Sequence, residues 1–118
     1  MNIYTKFTFS YMLLITYLSH MSQSSTSDYV PEYNNIDLIL HFVEYAILGF
    51  FLFKSLSTDD LFNINSIYGA IFVGILFGIF DELHQNFVPG RQMSLIDVLF
   101  DSFGTLFGVY ISFEFFNE

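Results

Sequence analysis

From Ile71 to Phe80 every side chain is apolar, and only Gly74 and Gly78 interrupt the bulk. A helix lying on a protein surface keeps one polar face toward water. This stretch has none to offer, so protein or lipid must surround it on all sides. A chain of 118 residues is too small to wrap such a helix, because a domain of that size leaves much of its surface exposed. With 53% hydrophobic and only 13% charged residues, it also lacks the charge to cover that surface. A soluble bundle with apolar core helices is therefore disfavoured, and an all-α membrane protein is expected.

Four apolar runs define the expected spans. The first covers Ile3 to Leu18, with Lys6 near its start; a cleaved signal peptide is the alternative reading. No clear small-x-small cleavage site follows the apolar run, which favours a retained span. His20 to Ile36 is polar, contains Pro31 and reads as a loop. The second span is Leu38 to Phe53, short for a bilayer that calls for about 20 apolar residues. Lys54 to Asn65 forms a polar connection. Ser66 to Phe80 is the third span, Asp81 to Arg91 a polar segment with a Pro89-Gly90 turn, and Ser94 to Phe113 the fourth. The expected fold is a bundle of about four transmembrane helices, or three if the first is a removed signal. Residues 1–36 hold the first helix and an extracytoplasmic loop, and 37–118 form a three-helix membrane region.

A net charge of −9 with three basic residues excludes nucleic-acid binding, which needs Lys and Arg to displace counterions. It equally excludes adhesion to anionic lipid through a basic patch. There is no cysteine, so disulfides and thiolate chemistry are absent.

Short loops make neighbouring spans antiparallel, which brings three polar groups to one membrane face. These are Asp37 and His41, then Asp81, Glu82, His84 and Gln85, then Arg91, Ser94, Asp97 and Asp101. Lys6 and Lys54 fall on the other face, so the positive-inside rule directs the polar group outward. Helical spacing aligns Asp37, His41, Glu44 and Leu48 on one stripe. Ser94, Asp97, Asp101, Thr105, Gly108 and Ser112 form a second, and Ala70, Gly74, Gly78, Asp81 and Gln85 a third. Gly74-x-x-x-Gly78 and Gly104-x-x-x-Gly108 lie along these stripes and would let helix backbones approach. The three stripes are expected to face inward.

Glu44 and Asp101 each lie about 10 Å below the outer end of their spans, at 1.5 Å per residue. An ionised carboxylate near a helix centre costs about 2.5–3.5 kcal/mol on insertion scales. A buried acid pair, Glu44 with Asp101, is therefore expected to hold a proton or a cation. Three readings of the whole polar group stay open: a hydrogen-bonded lock, a proton-sharing catalytic or relay site, and a divalent cation site. No cofactor is demanded by the sequence. Zinc finds little support, since paired-ligand spacing such as H-E-x-x-H is missing. Arg91 is the natural anion clamp. Tyr45 reads as packing, and Glu114 and Glu118 as solvated.

Asp37-x-x-x-His41-Phe42-x-x-Tyr45-x-x-Leu48-Gly49, then Asp81-Glu82-Leu83-His84-Gln85-x-Phe87-Val88-Pro89-Gly90-Arg91, then Ser94-x-x-Asp97 and Gly104-x-x-x-Gly108, resembles the VanZ-like membrane proteins. The resemblance runs from about Asp37 to Val109, and its D-E-x-H-Q-x-F-x-P-G-R string is specific. Leu38 stands where that family often has Lys, and Asp101 where it usually has Asn. Both departures make this polar group more acidic. The family's namesake is associated with resistance to the glycopeptide teicoplanin, so the resemblance implies an integral membrane protein of the cell envelope.

These readings together lead to an outward polar site that binds or modifies a lipid-linked or cell-wall component. If the protein is an enzyme, Asp81, Glu82 and His84 are the acid/base candidates. Asp37, His41, Gln85, Arg91, Ser94 and Asp97 are the binding candidates. The alternatives are a non-catalytic binding or scaffold protein and a proton or cation relay. The relay is weakened because only Thr105 and Ser112 continue a polar path below Asp101.

Overall fold

The computed structural model describes residues 2–26, 35–59, 66–85, 87 and 95–116. Four helices follow one another: α1 (Ile3–Thr26), α2 (Asn35–Asp59), α3 (Ser66–Gln85) and α4 (Leu95–Phe116). No strand occurs among the described residues. Three segments, Leu38–Thr58, Ser66–Gln85 and Leu95–Phe115, are long and apolar enough to cross a membrane.

Each helix outruns the apolar stretch that announces it. α1 continues to Thr26, through the first part of the loop expected from His20, and the rest of that segment as far as residue 34, with Pro31, lies outside the described residues. α2 continues through the polar Lys54 to Asp59, and α3 through Asp81 to Gln85. Once nucleated, a helix gains a hydrogen bond with every added residue, whatever the polarity of its side chain. The end of α3 is closed by a tight turn in which the Phe87 amide donates to the His84 carbonyl at 3.0 Å.

α1 is built into the bundle. Asn2 caps it by accepting the Thr5 amide at 2.8 Å, satisfying one of the donors a helix start leaves open. The same Asn2 amide donates to the Ser55 carbonyl at 3.2 Å, and the Thr5 and Ser55 hydroxyls share a hydrogen bond. Further along, the Tyr11 hydroxyl donates to the Glu44 carbonyl at 3.1 Å, which fixes α1 antiparallel to α2. Lys54 Nζ sits 5.1 Å from the Tyr4 ring centre, so Lys6 and Lys54 share one end of the bundle.

α2 and α4 make the most extensive pairing and run parallel. Gly104 and Gly108 make that approach close: a Cβ on Gly104 would strike the Phe42 carbonyl oxygen, and one on Gly108 the Ala46 carbonyl oxygen. Backbone thus lies directly on backbone. α3 runs antiparallel to both, with Gly78 against Asp101 and Gly74 against Thr105.

The resulting polarity is inverted relative to a water-soluble bundle. Asp81, Glu82, Gln85, Asp97, Asp101, Thr105 and Ser112 are buried. Phe72, Phe80, Leu99, Phe103 and Tyr110 are exposed on the outside. Two hydroxyls of α4 turn back onto their own helix, Thr105 donating to the Asp101 carbonyl at 2.9 Å and Ser102 to the Val98 carbonyl at 2.8 Å. An apolar exterior around a polar interior suits lipid as the surrounding solvent.

Candidate functional site

The antiparallel order places the start of α2, the end of α3 and the start of α4 together. His41 comes from the first of these, Asp81, Glu82 and Gln85 from the second, and Asp97 and Asp101 from the third. His41 is the hub. Its Nδ1 lies 2.8 Å from Asp101 Oδ1, a hydrogen bond in which the imidazole N–H donates to the carboxylate. Its Nε2 lies 3.9 Å from Asp97 Oδ2. Asp97 and Asp101 stand one helical turn apart, so both present carboxylates to the same imidazole.

α3 closes the third side. Its buried face is Ser66, Ala70, Gly74, Gly78, Asp81, Glu82 and Gln85, the expected stripe with Ser66 and Glu82 added. One donor atom each from His41, Glu82 and Asp97 fall within 4.8 Å of one another. Asp101 is fully buried and packs against α3 at Gly78. Its Oδ2 has no hydrogen-bond partner among the described residues, nor has the Tyr45 hydroxyl, also fully buried. Tyr45 packs as expected, its ring 6.1 Å from that of Phe77 within the buried core.

Two expectations change. Asp101 is joined to His41, whereas Glu44 is only partly buried and contributes its carbonyl to Tyr11. The expected Glu44–Asp101 pair rests on equal depth and on the inward stripes, which leave the rotation of each helix about its axis open. His84 is exposed, while Asp81, Glu82 and Gln85 are buried. At about 100° per residue, His84 stands roughly 160° around the helix from Glu82. It is only about 60° from Asp81, so the Asp81, Glu82 and His84 trio spans the buried face of α3 and its exposed edge. Arg91 and Ser94 lie outside the described residues, and of Asp37 only its place in the first turn of α2 is described.

The sequence alone gave no reason to prefer Tyr45 or to link Tyr11 with Glu44. A buried tyrosine one residue past an acid on the same span was the available signal. His41 and Asp97 were named as binding candidates, but their junction through Asp101 needs the packing of α2 on α4.

An α-helical membrane bundle with a His-carboxylate centre enclosed by three of its helices is the class that this architecture defines. The chain belongs to the VanZ/LLP1 family, whose model matches residues 2–117. That match takes in α1 as well as the three apolar helices. No curated protein and no solved structure matches the chain significantly.

Proposed function

We propose that this VanZ-family protein crosses the cell membrane several times and uses its His41 end, at the extracytoplasmic face, to bind or modify the polar head of a lipid-linked or cell-wall component. The observation that carries this reading is the collection of His41, Glu82, Asp97 and Asp101 from three helices at one end of an otherwise apolar bundle. Polar groups within a membrane segment are expensive and mark binding or transfer sites. The outward orientation rests on Lys6 and Lys54, which share the opposite end. Apolar outer faces would let a lipid tail lie along the bundle while its head reaches the centre.

The test compares bacterial cells lacking the gene with cells producing wild type or Asp97→Asn at equal membrane levels. Lipid-linked and cell-wall precursors are profiled, and teicoplanin susceptibility is measured. Wild type should shift one class of envelope component, and Asp97→Asn should not. An unchanged profile and susceptibility with wild type, or full effect from the variant, refutes the proposal.

A further inference from the structure

We propose that His41, Glu82 and Asp97 bind one divalent first-row metal ion, Mn2+ or Zn2+, with Asp101 orienting the imidazole. The three donors come from three different helices, which is why no local spacing in the sequence reports them. Bonds from such ions to imidazole nitrogen and carboxylate oxygen are about 2.0–2.2 Å long. Donors on one ion therefore stand about 3 Å apart when adjacent and about 4 Å apart when opposite. His41 Nε2 and Asp97 Oδ2 are 3.9 Å apart, and the full set of three lies within 4.8 Å. Shifts below an ångström bring all three onto a single ion.

The imidazole is already set for this use. With Nδ1–H donated to Asp101 at 2.8 Å, Nε2 keeps its lone pair and faces Asp97. A carboxylate behind a ligating histidine fixes the tautomer and strengthens the ligand. Asp101 adds buried negative charge behind the imidazole, which a cation on the far ring nitrogen offsets without being ligated by Asp101. It is fully buried, one oxygen serves His41, and Oδ2 has no hydrogen-bond partner among the described residues. That oxygen lies 3.5 Å from where a Cβ on Gly78 would be, so it is turned toward α3, one turn before Glu82. An acceptor left without a donor in a low-dielectric interior is compensated by positive charge close by.

The donor set also selects the ion. One imidazole and two carboxylates favour Mn2+ or Zn2+ over Mg2+ and Ca2+, which prefer oxygen alone. Two carboxylate ligands balance the ion's two charges. Three protein donors leave coordination positions open for water or an anionic oxygen. This gives an acid-rich centre a means of holding a phosphate-bearing head. That use rests on the proposed function; the ion itself does not.

The full chain, purified in detergent and stripped with chelator, is titrated with Mn2+ and separately with Zn2+, with Mg2+ as comparison. Mn2+ binding is read by electron paramagnetic resonance, and bound metal is counted by mass spectrometry. One ion per chain is expected, with coupling from a single imidazole nitrogen in the Mn2+ spectrum. Glu82→Gln and Asp97→Asn should each weaken binding at least tenfold, and Glu114→Gln should not. Asp101→Leu should weaken it about 10–100-fold, with Asp101→Asn restoring affinity through its retained carbonyl oxygen. Failure of wild type to bind either ion overturns the proposal, as does wild-type affinity in both ligand variants. If the variants do not fold, the wild-type spectrum decides alone: bound Mn2+ without nitrogen coupling overturns it. No envelope ligand is present, so the outcome is separate from that of the precursor profiling.

Discussion

Adding a single methyl group at Gly108 should loosen the bundle and disturb the polar centre without touching it. A Cβ there would stand 2.7 Å from the Ala46 carbonyl carbon and 2.9 Å from the Phe50 nitrogen. Ordinary contact begins at 3.4 Å, and the Ala46 carbonyl oxygen lies nearer than either atom, so α2 and α4 must separate by more than about 0.7 Å. Both obstacles are backbone, so no side-chain rotation relieves them. Overpacking of this kind costs about 1–3 kcal/mol, and a backbone obstacle puts Gly108→Ala near the upper end. The same helix pair carries the His41–Asp101 hydrogen bond of 2.8 Å. Carried rigidly along the helices, the separation stretches that bond beyond about 3.5 Å, where it ceases to be one. The assay is unfolding of the detergent-solubilised protein by increasing sodium dodecyl sulfate. Gly69→Ala is the control, since its nearest obstacle is the flexible Leu56 Cδ1 at 3.1 Å. Gly108→Ala should lose about 2–3 kcal/mol, and Gly69→Ala less than about 1 kcal/mol. Equal stability of wild type and Gly108→Ala, or an equal loss from both variants, would refute the close α2–α4 packing.

Other expectations follow from single contacts. Asp101→Asn keeps an acceptor for His41 and should stay within about 1 kcal/mol of wild type. Asp101→Leu orphans the imidazole N–H and should lose about 1–3 kcal/mol in the same unfolding assay; equal stability of the two variants contradicts the bond. Tyr45→Phe removes a buried hydroxyl without a hydrogen-bond partner among the described residues, so stability should hold or rise. A loss above about 1 kcal/mol would mean that the hydroxyl has a partner. Tyr11→Phe breaks the link to the Glu44 carbonyl and should cost about 0.5–1.5 kcal/mol, read as weaker retention of α1 against protease. For topology, a cysteine in the Ser22 to Ser27 segment should react with an impermeant thiol reagent in whole cells, and one at Asn63 should not. The reverse labelling would place the polar end in the cytoplasm.

Apolar runs and glycine spacing made the helices and their inward stripes legible from the sequence. The buried faces of α3 and α4 follow the stripes through Gly78 and Gly108. On α2 the buried face is centred on Tyr45, Leu48 and Leu52, in line with His41, and it leaves Glu44 at its margin. Rotation of a helix about its own axis is set by its neighbours, and one span's composition does not encode it. For the same reason Asp101 could be placed in depth but not matched to His41. Helix ends were the other gap: polar residues such as Lys54 and Asp81 end a hydrophobic run without ending a helix.

The inverted polarity also bears on how such a chain can diverge. Positions such as Phe72, Leu99 and Phe103 are exposed on the outer face, where a lipid surrounding asks for oiliness and not for shape. They can exchange among Phe, Leu, Ile and Val with little consequence. The interior has no such latitude, because a glycine at 108 or a carboxylate at 97 has fixed neighbours and one geometry to satisfy. The heritable identity of this protein is therefore concentrated in a sparse inner lattice. Two copies could differ across most of their outer surface and still build the same centre.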